Sequence, residues 1–201
     1  LTFNWRISEN FDDVTVQNLA KSLKVPKSLV KVLLSRGISE YETANKFLNP
    51  SLKDSYDPFI MVQMEKAVDR ILKARQNNEL IWVHGDYDAD GTSSVAMLTD
   101  FLRSIGCKVV YYIPDRFTEG FGLSDTSINK AKIAGATLII SVDVGITAYF
   151  PSLHAKRLDI DLIICDHHEP NDNMPVAYSI LDPLMPGCPY PFKNLSASGV
   201  A

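Results

Sequence analysis

From residue 80 onward, short apolar runs alternate with helical stretches, and this alternation limits the chain to very few folds. The runs are Leu80–Val83, Lys108–Ile113, Thr137–Val142, Asp161–Ile164 and a last short one, Ala177–Leu181. Between the first four lie helix-like stretches at about Thr92–Ile105, Ser124–Ala134 and Thr147–Leu158. Strands that are continuously apolar, not alternating, are buried on both faces, and strands separated by helices pair in parallel. The expected class is α/β, a parallel sheet covered by helices on both faces. Pro151 fits this reading because the first turn of a helix leaves its amides without partners anyway.

Residues from about 14 to 76 have a different texture. Val16, Leu19, Ala20 and Leu23 recur at helical spacing, and Pro26 ends that pattern. Ser28 is placed to cap a second helix, and Ser39 followed by Glu42 reads as a capping box for a third, which Asn49-Pro50 stops. A fourth helix is expected over Met61–Ala74. The expected organisation is a helical N-terminal segment, 1–78, and a catalytic domain over 79–201 that is cut short at its C-terminus.

Composition narrows the class further. Of 201 residues, 46% are hydrophobic and 22% charged, as in an ordinary globular protein. No apolar stretch approaches the length of a bilayer span, and no signal-peptide pattern opens the chain, so no membrane partner is expected. Cys107, Cys165 and Cys188 lack the paired spacing of a zinc site and read as buried free thiols of a cytoplasmic protein. The net charge of −4 is unevenly spread: before residue 80 there are 12 basic against 10 acidic side chains, and after it 8 against 14. An acidic half is what a metal site produces, since bound cations supply the positive charge that a phosphate needs.

The acidic groups cluster in motifs that directly follow strands. His84-Gly85-Asp86-Tyr87-Asp88-Ala89-Asp90-Gly91 follows the first, Ser141-Val142-Asp143 ends the third, and Asp166-His167-His168 follows the fourth. A parallel sheet delivers all three to one edge, where open α/β sheets bind ligands. Carboxylates with imidazoles at one edge suit Mn²⁺ or Mg²⁺ before Zn²⁺. Asp88 and Asp90 can both face a metal from an irregular loop, and His84 can add a nitrogen ligand. Asp143, taken alone, reads equally well as a helix cap. Of two adjacent histidines, one can ligate while the other contacts substrate, with Asp166 orienting one ring. His154, beside Lys156 and Arg157, reads as a surface residue.

His-x3-Asp-x-Asp, a strand-end Asp and Asp-His-His in this order resemble the DHH phosphoesterase family. Pro114-Asp115-Arg116, Glu119–Ser124 and Phe47-Leu48-Asn49-Pro50 add to that likeness, which spans essentially the whole chain. The resemblance implies two Mn²⁺ or Mg²⁺ ions held by His84, Asp88, Asp90, Asp143 and His167, with Asp143 as the bridge. Asp86 belongs to the first motif but is not expected to ligate. His168 would stand near the scissile phosphate, and Arg116 with the Gly120-x-Gly122 loop near the nucleic-acid backbone. Catalysis would thus rest on Asp88, Asp90, Asp143, His167 and His168. A further metal-binding aspartate of the family has no match after His168, and is expected past Ala201 together with a second domain. Asp182-Pro183 is expected to be a structural turn.

Within the family, the motif forms imply a single-stranded-DNA-specific 5′→3′ exonuclease that releases mononucleotides in recombination and repair. A helicase or a single-strand-binding protein is the expected class of partner. The alternatives are a pyrophosphatase, a phosphodiesterase of short oligonucleotides or cyclic dinucleotides, and a non-catalytic scaffold. A pyrophosphatase would want Asn-Pro between His84 and Asp88, where this chain has Gly85-Asp86-Tyr87, and a scaffold would show eroded ligands.

Overall fold

A computed structural model describes residues 11–201 and divides the chain between Ser55 and Tyr56 into two compact units. In the first, α1 (Asp13–Leu23), α2 (Lys27–Ser35) and α3 (Tyr41–Leu48) close around Val16, Leu19, Ala20, Val30, Leu33 and Ala44. The caps differ from those expected. Pro26 occupies the N-cap of α2, its carbonyl accepting from Leu29 and Val30, so Ser28 already lies inside the first turn. Glu40 precedes α3 without a side-chain cap, so the Ser39 capping box does not form.

The second unit holds the sheet: β1 (Leu80–Gly85), β2 (Lys108–Tyr112), β3 (Ala136–Val142), β4 (Asp161–Cys165) and β5 (Ser179–Leu181). All five are parallel, in the order β2-β1-β3-β4-β5. The helices are α4 (Met64–Gln76), α5 (Ala89–Ser104), α6 (Asp125–Ala134), α7 (Tyr149–Arg157) and a final turn, α8 (Ala197–Val200). One sheet face packs Ile81, Val83, Leu138, Ile140 and Ile163 against Ala67 and Ala74 of α4, Val95, Leu98 and Leu102 of α5, and Val200. The other packs Trp82, Ile139, Leu162 and Ile164 against Ile128 and Ala131 of α6 and Ala155 of α7. Burial on both faces is why these strands read as unbroken apolar runs.

The helix expected from Met61 begins at Met64, because Gln63 takes a left-handed backbone conformation (φ 68°) after a 3-10 turn at Pro58–Ile60. It packs with the sheet unit, which begins at Tyr56. Arg70 explains the attachment: buried on α4, it donates to Asp161 at 2.6 Å and Glu79 at 2.8 Å beside β4 and β1. The three cysteines are buried free thiols. No helix among the described residues is long and apolar enough to cross a membrane.

Candidate metal centre

The strand order reverses direction between β1 and β3, which opens a crevice beyond their carboxyl ends. The acidic motifs meet there. Asp143 follows β3, its amide still donating to the Cys165 carbonyl at 3.0 Å, and then turns through a left-handed conformation (φ 63°). Aspartate is one of the few non-glycine residues that tolerate this region. The turn leaves Asp143 almost wholly buried at the rim. Two groups of potential ligand atoms, each within 4.8 Å of one another, share it: Asp86, Asp88 and Asp143, and Asp143, His167 and His168.

The first-motif loop is shaped by local hydrogen bonds. Asp88 caps α5 by accepting from the Gly91 amide at 2.9 Å, and Asp86 accepts from the Tyr87 amide at 2.8 Å. Gly91 sits so close under Asp86 that a Cβ there would lie 2.6 Å from the Asp86 carbonyl oxygen. The loop therefore folds back on itself only because residue 91 has no side chain.

Asp166 is the buried organiser of the third motif. Its Oδ2 accepts from the Ile146 amide at 2.9 Å, tying the loop after β3 to the loop after β4. Its Oδ1 accepts from the His167 amide at 2.8 Å and from His168 Nδ1 at 2.7 Å, so it orients the second imidazole. Burial by itself would lower the His168 pKa, but that bond and the charges of Asp166, Asp143 and Asp182 outweigh it and raise it. His167 donates from Nδ1 to the Leu195 carbonyl at 2.9 Å, which turns Nε2 toward Asp143 Oδ1 at 3.2 Å and Asp90 Oδ2 at 3.8 Å.

That geometry bears on what the site holds. With the proton on Nδ1, Nε2 presents a lone pair to two carboxylates, and acceptors facing acceptors need a cation or a proton between them. Burial, followed by the charges of Asp88 and Asp90, pushes Asp143 up to about 6. Oxygen donors with imidazole nitrogen are the donor set of Mn²⁺ and Mg²⁺ sites, and the residues fit such an ion.

The structure places the remaining residues of the first motif as follows. His84 is fully buried on the Trp82 face of β1, its ring tilted 37° against that of Tyr112, with Nε2 3.2 Å from the Gly122 carbonyl and Nδ1 unpartnered. Burial lowers its pKa to about 4, and it falls outside both ligand groups. The strand pleat is the reason: residues 80, 82 and 84 share one sheet face, whereas Asp86 lies past the strand and reaches the rim. Asp86, not expected to ligate, stands within one of the groups. Asp90, also outside them, accepts from the amides of Ala197 at 2.8 Å and Ser198 at 2.9 Å and from the Ser198 hydroxyl.

Beside the ligand groups opens a cavity of about 480 Å³, lined by the polar Asp86, Asp143, Asp166 and His168 and by the apolar Phe121, Leu123, Ile146 and Pro151. Arg116 is exposed, its guanidinium 4.7 Å above the Tyr87 ring of the first motif. Asp182 holds a turn by accepting from the Leu184 amide at 2.7 Å, as expected, while burial raises its pKa to about 6. His154 is not free in solvent: it bonds Asn129 at 2.8 Å, joining α7 to α6. The Leu195–Ser198 segment carries no ligand-type side chain, and the sequence offered no signal for its role at the site.

Comparison with known proteins gives a consistent picture. The family model described as DHH family, N-terminal domain, matches residues 80–201. The single-stranded-DNA-specific exonuclease RecJ of Bacillus subtilis is 41% identical over 197 residues, 98% of this chain and 25% of the relative. RecJ of Escherichia coli is 36% identical over 179 residues, 89% of this chain and 30% of the relative. The chain thus spans roughly a quarter to a third of these relatives. An exonuclease RecJ structure bound to manganese superposes with a TM-score of 0.66 at 27% identity, covering 73% of this chain and 37% of that one. The RecJ of Thermus thermophilus in complex with Mn²⁺ shares the fold over 98% of this chain and 27% of its own, at a TM-score of 0.71 and 23% identity.

Proposed function

The chain belongs to the DHH family, and from that premise we propose that it carries the metal-binding part of a single-stranded-DNA-specific exonuclease. The observation that carries the reading is Asp143, buried at a left-handed turn and common to both ligand groups. The likeness to RecJ proteins over nearly the whole chain supports the DNA substrate. The relatives' metal-bound structures support Mn²⁺ or Mg²⁺. In this reading the sheet-bearing residues, including 79–201, are catalytic, the setting is cytoplasmic repair and recombination, and helicases or single-strand-binding proteins are the candidate partners.

Two ions would be held by Asp88, Asp143 and His167, with Asp143 between them. Asp90 would join from its place 3.8 Å from His167, and Asp86, close to Asp88 and Asp143, would add a further carboxylate. When bound, such ions supply Lewis acidity to a phosphodiester and to the water that attacks it. The chain's own groups do the rest. His168, its Nδ1 held by Asp166, lines the cavity and would contact a phosphate oxygen there, the nearby carboxylates raising its pKa and so favouring its charged form. Arg116, parked over Tyr87, binds the strand's backbone next to the first motif. His84 acts from below by holding the Gly120–Gly122 loop through the Gly122 carbonyl.

The test is release of nucleotides from a 5′-labelled single strand and from the matching duplex, with Mn²⁺ and with EDTA. Mononucleotides from the single strand in Mn²⁺ are expected. Cleavage of pyrophosphate or cyclic dinucleotides with the single strand left intact would replace this reading by another activity of the family.

A further inference from the structure

Two of the groups assigned to metal binding are held by one short stretch of chain that has no ligand-type side chain of its own. Leu195 offers its carbonyl to His167 Nδ1 at 2.9 Å. Two residues on, the Ala197 amide donates to Asp90 Oδ2 at 2.8 Å, and the Ser198 amide to Asp90 Oδ1 at 2.9 Å. The Ser198 hydroxyl donates to the same Oδ1. Behind it, Ser94 Oγ lies 3.4 Å from Ser198 Oγ while donating to the Asp90 carbonyl at 2.7 Å.

We propose that Ser198 is a positioning residue for the metal centre, acting with the Leu195 carbonyl as a clasp that aims Asp90 and His167 at the same point. The inference rests on the reading of Asp90 and His167 as ligands. Its logic is one of lone pairs. Each carboxylate oxygen can accept more than one bond, so Asp90 can keep its amide donors and still offer electron density toward His167. An imidazole with its proton fixed on Nδ1 has Nε2 free for a cation. Outer contacts of this kind fix ring tautomer and carboxylate rotamer, and their loss typically weakens metal affinity by about 10- to 100-fold. The clasp also explains the separation of Asp90 from the Asp86–Asp88–Asp143 group: three donors hold it on the His167 side.

The experiment compares wild type, Ser198→Ala and Ser198→Thr, titrating Mn²⁺ by calorimetry and recording thermal melts in EDTA. Ser198→Ala is expected to bind Mn²⁺ about tenfold more weakly, and Ser198→Thr, which keeps the hydroxyl, to recover most of the loss. A purely structural serine would lower the melt of the metal-free protein and leave Mn²⁺ affinity unchanged, and that result would overturn the proposal. Nitrogen-15 NMR of the wild-type histidines supplies a second readout that needs no variant to fold. His167 protonated at Nδ1 supports the clasp, and protonation at Nε2 refutes it. Wild type that binds no Mn²⁺ would defeat the nuclease reading and the clasp together, whereas tight wild-type binding with an unaffected Ser198→Ala variant defeats the clasp alone.

Discussion

In a Gly91→Ala variant the new Cβ lies 2.6 Å from the Asp86 carbonyl oxygen and 2.8 Å from the Asp86 Cα and carbonyl carbon. Two effects then compete. Residue 91 sits in the first turn of α5, where alanine is favoured over glycine by about 1 kcal/mol. Overpacking costs about 1–3 kcal/mol, and here the top of that range applies because the atoms met are backbone, which no rotamer change can move away. The net expectation is a loss of about 2 kcal/mol. The functional effect should be larger than the structural one. The oxygen must retreat from 2.6 Å to an ordinary contact of about 3.4 Å, and constellations of this kind tolerate about 0.5 Å. Asp86 and Asp88 would move with it, so Mn²⁺ affinity should fall by at least about tenfold. Urea unfolding in EDTA measures the first quantity, and calorimetric titration with Mn²⁺ the second. A variant stabilised by helix propensity and binding Mn²⁺ as wild type does would refute the reasoning.

Asp143 should dominate one pH effect. Its pKa of about 6 lies above that of an unfolded aspartate, so the folded chain keeps a proton that the unfolded chain releases. Metal-free stability should therefore fall as pH rises from about 4 to about 6, with Asp182 adding in the same sense. Asp143→Asn should flatten this slope and abolish Mn²⁺ binding, and an unchanged slope by urea titration would contradict the assignment. His84 has the opposite sign: its pKa of about 4 lies below the ordinary value, so its contribution is intact above about pH 6.5 and lost as pH falls toward 4. The stability difference between wild type and His84→Gln should shrink over that window, and a constant difference would count against a buried neutral ring. Arg70→Met should cost about 2–3 kcal/mol, less than a fully buried pair because Asp161 is half exposed. Mn²⁺ affinity should be unaffected, and a matching loss of affinity would show that the α4 ion pairs couple to the site.

The parts of the fold that were legible in the sequence are those set by burial pattern. Leu80–Val83 and Thr137–Val142 read as strands because both sheet faces are covered, and the structure extends each by a residue or two. The meeting of Asp88, Asp143 and His167 followed from strand-end position alone. Side-chain direction was less accessible. His84 and Asp86 are two residues apart, and only the exact strand end, at Gly85, decides which of them reaches the rim. The caps of α2 and α3 failed as expectations because serine is equally at home one or two residues away from a cap. The clasp could not have been foreseen, since it works through a carbonyl, two amides and a serine hydroxyl, none of them a group that sequence reasoning marks as belonging to a metal site.

The strand order has one more consequence. Neighbouring parallel strands stand about 4.8 Å apart, and β1, β3 and β4 are consecutive neighbours joined by ladders that run to Gly85, Val142 and Cys165. The width of the rim that carries the candidate ligands is therefore gauged by peptide hydrogen bonds and not by any side chain. Connecting segments can lengthen, shorten or change composition without altering that gauge, so long as the three strand ends stay in step.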